Sequence, residues 1–518
     1  MTDTSNPAPA EIRCLDPWTG HELESMPAGT REDAASAVRR AREAQPAWAA
    51  RSFEERGRLL LGVRDTFAER AETLVELLGR ENGKPPVEAW FAEIVPNLDL
   101  FTYWAKRTGK LLRDEKVGLD PTKYPGKKAL VHQVPKGIVA VISAWNYPVA
   151  ISLRAIVPAL MAGNTVVFKP SSDAALVGRA LVECFSRHLP KDVLVPFYAP
   201  GAVGSAIVEA GVDHVAFIGS VEVGREVAAL AARRFVSCSL ELGGKDAAIV
   251  LPDADPDRAV EGIAWGAFTN AGQNCASIER LILVEGVGDA FLPRLVERVK
   301  SLRAVVDGPA GSDVGPLRTA GQLAAVEAQV QDALARRAKL LCGGERLGDG
   351  FGYAPTILDD VTDEMAVWNE ETFGPLLPVR RAANVEEALE LANRNRYGLT
   401  NSLWTSDPAR ARELAPRLRC GVVTVNNHAF TASMPFVPWG GVGETGMGST
   451  NSHHALREYV RPQLVLTDRP TGHEAWWYPY DATNLELAKV LRRFLSGKGG
   501  MLKVLGLMRR ASRRRSAP

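Results

Sequence analysis

Apolar residues recur at helical spacing through residues 31–80. "REDAASAVRRAREA", after Thr30, and "RGRLLLGVRDTFAERAETLVELLGREN", ending at Gly83, interleave Ala, Leu and Val with Arg and Glu. That period predicts amphipathic helices on an outer face. From residue 137 the pattern changes to short apolar runs, "GIVAVIS", "NTVVFKP", "HVAFIGS" and "DAAIVLP", separated by helical segments such as "ALVGRALVECFSRHL". Buried strands alternating with helices predict an α/β fold with a doubly wound parallel sheet. A second series from about 245 to 440, with "ERLILVEG", "KLLCGG" and "CGVVTVNN" as strands, predicts a second α/β lobe. Between the early helices and the first sheet, "KYPGKKALVHQVPKG" reads as a hairpin about a Pro-Gly turn, a projection suited to contact between copies of the chain.

Composition narrows the class. The chain has 518 residues, 46% hydrophobic and 24% charged, as in a soluble globular protein too long for one ordinary core. Lys+Arg 62 against Asp+Glu 61 leaves no global electrostatic case for nucleic acid. Cys14, Cys184, Cys238, Cys275, Cys342 and Cys420 lie far apart, with no CxxC pair, and the first 13 residues are polar, without an apolar leader core. A cytoplasmic protein with a short disordered N-terminal arm is expected. No run approaches the roughly 20 apolar residues that a spanning helix needs.

Four stretches carry candidate chemistry. In "FTNAGQNCASIER" Cys275 stands among small and polar residues, which leave space for a substrate where a Leu/Ile cage would not; taken alone, a lone cysteine reads as an inert core thiol. "SLELGGKD" puts Glu241 at the end of an apolar run, either a solvated loop charge or, facing the thiol, a general base. "ISAWNYP" puts Asn146 after a strand, where a side-chain amide serves a turn or donates to an oxyanion. "FIGSVEVGREVAALAARR" is a strand, Gly219-Ser220, Gly224 and a helix, a weaker signal than GxGxxG for a phosphate at a helix N-terminus.

Together, and in this order, these stretches resemble the aldehyde dehydrogenase superfamily. The resemblance runs from about residue 12 to 465 and includes "ENGKP" at 81–85, "VFKPSS" at 167–172, "EETFGP" at 370–375 and "PWGGVGETGMG" at 438–448. It implies an NAD(P)⁺-dependent oxidation of an aldehyde to the acid through a cysteine thiohemiacetal and thioester, in a homodimer or homotetramer. It makes Cys275 the nucleophile, Glu241 the general base and Asn146 the oxyanion donor. Ser143, Ala144, Trp145, Lys169, Ser172, Gly219, Ser220, Gly224, Leu242, Glu371 and Phe373 become cofactor residues, and no metal is implied. Its domain plan is a cofactor domain of 1–118 and 136–243, a catalytic domain of 244–449, an oligomerisation hairpin and arm of 119–135 and 450–467, and a tail of 468–518. Glu241 favours hydrolytic release over transfer to coenzyme A, the alternative being an acylating semialdehyde dehydrogenase or a non-catalytic relative. Ser172 stands where NAD⁺-restricted relatives often carry glutamate, so NADP⁺ is expected to be accepted.

Three features depart from the resemblance. His453-His454 falls where the family usually reads otherwise, and surface imidazoles are the expectation. "MPFVPWGG" is extended at the expected tunnel mouth. The tail, "EAWWYPYDATNLELAKVLRRFLSGKGGMLKVLGLMRRASRRRSAP", sets Leu485, Leu487, Ala488, Leu491, Phe494 and Leu495 at near-helical spacing behind Trp476, Trp477, Tyr478 and Tyr480. It reads either as aromatics docked on the protein with a disordered Arg-rich end, or as peripheral attachment to the inner face of a membrane, suited to an apolar aldehyde.

Overall fold

The computed structural model describes residues 11–121, 123–305, 308–470, 473–474 and 476–512. Residues 1–10 of the expected arm and Arg513, Arg514 and Arg515 lie outside them, whereas Glu11, Ile12 and Arg13 of that arm are not disordered but open a strand, Glu11–Leu15, held by antiparallel pairing with Glu22–Pro27. The helical period from 31 to 80 resolves into Arg31–Ala49, Phe53–Glu69 and Ala71–Asn82. Thr30 and Ser52 close capping boxes with Asp33 and Glu55, satisfying N–H groups that a helix start leaves open. Gly83 ends the third helix in the left-handed region, φ +76°.

Two main sheets follow, both in a unit formed by the described residues up to Leu112 and Val134–Arg461. The first is ordered Gly446–Met447, Ser237–Glu241, His214–Ile218, Ile138–Ile142, Thr165–Lys169, Leu194–Pro196. All are parallel except the two-residue edge strand, which runs antiparallel to Ser237–Glu241. The chain winds outward from Ile138–Ile142 in one direction, then returns to its other side with His214–Ile218. That reversal leaves a crevice beyond the strands' carboxyl ends, the position where open α/β sheets take ligands.

The second sheet has seven strands, ordered Lys339–Cys342, Thr356–Asp359, Leu376–Ala382, Ile278–Val284, Asp246–Val250, Thr400–Trp404, Val422–Val425. It is parallel apart from the Lys339–Cys342 edge. "KLLCGG" is thus a strand, but an antiparallel one, short and exposed on an edge that needs no crossover helix. Ile249, Ile263, Leu281, Ile282, Val326 and Leu377 centre its fully buried core.

A second unit comprises Arg113–Gln133 and Pro462–Pro518. Its hairpin differs from the sequence expectation. Lys128–Pro135 pairs antiparallel with Glu115–Val117, upstream of the Pro125-Gly126 turn, which falls in the connection. Val460–Thr467 pairs on the other side to make three strands. The tail belongs to this unit and forms two helices, Ala482–Leu495 and Met501–Ser512. Leu487 packs with Val504, Leu507 and Ala511, and Leu491 and Phe494 join them. The six-residue apolar stripe read from the sequence is therefore split, because the second helix covers half of it. Among the described residues no helix is long and apolar enough to cross a membrane.

Candidate active site

Residues 242–245 carry the chain from the first sheet to the second, so the carboxyl end of Ser237–Glu241 and the amino ends of Asp246–Val250 and Ile278–Val284 meet at one place. Gly243 and Gly244 make the meeting close. A Cβ on Gly244 would lie 2.2 Å from the carbonyl oxygen of Cys275, and one on Gly243 would lie 2.1 Å from the Glu371 carboxylate. Cys275 sits in the loop entering Ile278–Val284. Asn270, Ala271 and Gly272 before it all have positive φ, 54°, 55° and 69°. The space beside Gly272 is filled by the Gly374 carbonyl, 2.1 Å from where a Cβ would be, and not by room for substrate as expected from composition.

Buried polar groups hold this strained loop. Lys84 donates to the Asn146 carbonyl and, at 2.7 Å, to Asn270 Oδ1. Asn270 Nδ2 reaches the Asn146 and Gln273 carbonyls at 3.1 and 3.0 Å. The Asn146 amide donates to the Gln273 carbonyl at 3.1 Å, which places it two residues from Cys275. On the far side the His428 ring, through Nε2, meets the Ala276 carbonyl at 2.7 Å. Lys84 lies inside the "ENGKP" stretch that the sequence singled out without a role; His428 gave no signal at all.

Burial pushes the Cys275 thiol up to about 12, and the Glu241 carboxylate raises it further while Arg154 opposes. The thiol is therefore neutral at rest and needs a base. Burial also raises Glu241 above the usual carboxylate range, against the charge of Arg154 and a hydrogen bond from the Thr450 hydroxyl. Arg154 thus opposes the rise at both groups. Thr450 and Arg154 are partners that sequence reasoning missed, since neither falls within a motif spacing.

Cys275 lies on the wall of a cavity of about 390 Å³ lined by Phe91, Leu100, Tyr147, Trp265, Phe430 and Trp439. Among the described residues lining it, Arg154 is the one cation and Glu88 the one carboxylate. Phe91, Trp265 and Phe430 also keep exposed surface.

The expected cofactor residues gather at the crevice of the first sheet. Ser143, Ala144 and Trp145 follow the Ile138–Ile142 strand, Lys169 ends Thr165–Lys169, and Gly219 follows His214–Ile218. Ser172 begins a short helical turn. Ser220 caps Val221–Arg233, its hydroxyl accepting from the Val223 N–H at 3.4 Å. Lys169 is buried, and its ammonium reaches only the Pro170 carbonyl at 3.4 Å. Burial brings its pKa down to about 8. A buried ammonium with no ion pair among the described residues fits a ligand bearing hydroxyl or phosphate oxygens. Gly224 and Leu242 pack on each other: a Cβ at 224 would lie 2.5 Å from the leucine side chain. Glu371 accepts from the Gly244 N–H at 2.9 Å, and the Trp145 and Phe373 rings stand edge to face at 5.5 Å. Glu279, which sequence reasoning also missed, accepts from the Thr372 and Phe373 N–H groups and from Lys245, fixing the "EETFGP" loop.

The His453 and His454 rings lie 4.0 Å apart on the exposed face of the Ser452–Glu458 helix, whose Ala455 and Leu456 are buried, and no metal-holding cluster occurs among the described residues.

The aldehyde dehydrogenase family model matches residues 4–465. The 4,4'-diapolycopene aldehyde oxidase of a Methylomonas species is 35% identical over 97% of this chain and 93% of its own, an alignment that reaches into the tail. A Mycolicibacterium smegmatis protein, named provisionally as an NADP⁺ succinate-semialdehyde dehydrogenase, is 37% identical over 87% of this chain and 88% of its own. The crystal structure of a Mycobacterium tuberculosis aldehyde dehydrogenase complexed with NAD⁺ superposes with a TM-score of 0.84 at 31% identity, over 91% of this chain and 97% of that one. The chain belongs to the aldehyde dehydrogenase family and is an oxidoreductase that converts an aldehyde to the carboxylic acid with NAD⁺ or NADP⁺.

Proposed function

We propose that Cys275 is the nucleophile, Glu241 its general base and Asn146 the oxyanion donor. The observation that carries this reading is the thiol's place on the wall of an apolar cavity, in range of the Glu241 charge and two residues from the carbonyl that holds the Asn146 amide. Glu241 takes the thiol proton and the Cys275 sulfur adds to the aldehyde carbon. The carbonyl electron pair moves to oxygen, where Asn146 Nδ2 and the Cys275 N–H receive the charge, one such donor contributing about 3 kcal/mol. The bound cofactor's chemistry is that of a hydride acceptor. Cys275 then holds the acyl group as a thioester. Glu241 gives the first proton up to solvent and then deprotonates a water that adds to the thioester carbon; the carbon–sulfur bond breaks, the acid leaves, and the proton taken from that water restores the thiol.

Lys169, Ser172, Ser220 and the start of Val221–Arg233 would hold the cofactor's adenosine and diphosphate, with Trp145, Glu371 and Phe373 on the nicotinamide side. With serine at 172 no carboxylate stands at that position to repel a 2′-phosphate, which supports use of NADP⁺.

The substrate reading is an apolar aldehyde. The cavity's aromatic lining supports it, as does the likeness to an enzyme named for diapolycopene aldehyde. Assembly of like chains through the Val460–Thr467 edge, where Leu464, Val465 and Leu466 are exposed, fits the same fold. The test is Cys275→Ala assayed on a series of straight-chain aldehydes. Turnover disappears for all of them while NADP⁺ binding persists, and in the unaltered enzyme kcat/KM climbs with chain length by up to about fourfold per methylene. Turnover retained in Cys275→Ala contradicts the assignment.

A further inference from the structure

The family model stops at residue 465, and most of the second unit lies beyond it. Packing of Leu487, Leu491 and Phe494 against the Met501–Ser512 helix turns the other face of Ala482–Leu495 outward. Leu485, Ala488, Lys489 and Arg492, spaced i, i+3, i+4 and i+7, share that exposed face. Leu502, at the start of the next helix, is 87% exposed. Just ahead stand Trp476 and Trp477, each 52% exposed, Tyr478 at 77% and Tyr480 at 64%. These rings lie against one another and against neighbours at the surface: Tyr478 and Tyr480 are 4.6 Å apart, and Trp477 meets His473 at 5.7 Å. None of the four belongs to a hydrophobic core.

Charge marks the same segment. Residues 473–518 hold ten Lys or Arg and three Asp or Glu, an excess of seven positive charges in a chain whose net is +1. The remaining chain is therefore six negative in excess. Lys503 pairs with Glu486 at 3.6 Å, whereas Lys489, Arg492 and Arg493 have no acidic partner among the described residues.

We propose that this C-terminal unit docks the enzyme on an anionic lipid surface, the aromatic rings seated at headgroup depth and the Lys and Arg side chains against the lipid phosphates. Exposed amphipathic rings followed in the chain by cations without acidic partners among the described residues match that interface. A second copy offering the same face would set like charge against like charge, which disfavours it as the occupant. Contact is peripheral, since no described helix spans.

Co-sedimentation of the full chain with phosphatidylglycerol vesicles and with phosphatidylcholine vesicles tests this. At low salt the chain pellets with the first far more than with the second, and salt releases it. Lys489→Gln with Arg492→Gln and Arg493→Gln weakens partitioning by about a hundredfold, at roughly fivefold per cation. Trp476→Ser with Trp477→Ser lowers it as well and removes the blue shift of tryptophan emission on binding. Turnover on a water-soluble aldehyde, unchanged in both variants, shows that they fold. Negligible pelleting of the unaltered chain on phosphatidylglycerol at low salt overturns the proposal, as does pelleting that neither variant changes. A change of oligomeric mass in the variants without vesicle binding overturns it too, and makes the patch an interface between copies.

Discussion

Ser172 tests the cofactor site one side chain at a time. Ser172→Glu puts a carboxylate near the adenosine end, so kcat/KM with NADP⁺ falls at least about tenfold relative to NAD⁺, roughly 1.4 kcal/mol. An unchanged ratio removes Ser172 from the site. His428 supplies a pH signature. Burial brings its pKa down to about 4, while the unfolded chain's value is near 6.5. Between those values the unfolded state holds a proton that the folded state refuses, so His428 stabilises the fold above about pH 6.5, and that stability is lost as pH falls toward 4. The loss amounts to about 3 kcal/mol, at about 1.4 kcal/mol per pH unit. Denaturant melts of the enzyme and of His428→Gln, compared across this window, converge toward pH 4 by that slope; parallel curves exclude it. At this scale the sequence singled out Cys275, Glu241 and Asn146 because each falls in a motif. It was silent on Thr450, Arg154 and His428, whose partners lie 209, 121 and 152 residues away in the chain and follow no local spacing.

Among the elements, the strands were readable because buried parallel strands are continuous apolar runs, and "GIVAVIS", "HVAFIGS" and "ERLILVEG" all fall within a residue or two of their strands. The hairpin was misplaced because Glu115–Val117 is three exposed residues, too short and too polar for a period to register. Turns that serve close approach were invisible as well: "ELGG" shows two glycines, but not that one faces the Cys275 carbonyl and the other the Glu371 carboxylate. This gives a prediction for the element that joins the sheets. Gly244→Ala forces the 242–245 segment away from the Cys275 loop, and since the obstructing atom is backbone, little can yield. The expected result is a loss in kcat of about a hundredfold or more with the fold retained by circular dichroism. Activity within a few-fold of the original would mean that the two segments tolerate separation.

For the molecule as a whole, the two-sheet plan followed from the change of period near residue 137. What the sequence could not convey was that the tail would join the hairpin strands in one unit and cover half of its own apolar stripe, because a single period does not reveal which face a later helix will occupy. The central claim concerns the first unit: one carboxylate, Glu241, both activates the neutral Cys275 thiol on the cavity wall and activates the water that releases the acyl group from it. The measurement that addresses it most directly is rapid quench of Glu241→Gln mixed with NAD⁺ and a good aldehyde, followed by mass analysis of the peptide containing Cys275. The account predicts a burst of up to one equivalent of reduced cofactor, an acyl group accumulating on Cys275, and steady turnover slowed by about a hundredfold or more. Wild-type turnover in Glu241→Gln, or an acyl adduct found anywhere but Cys275, would contradict it.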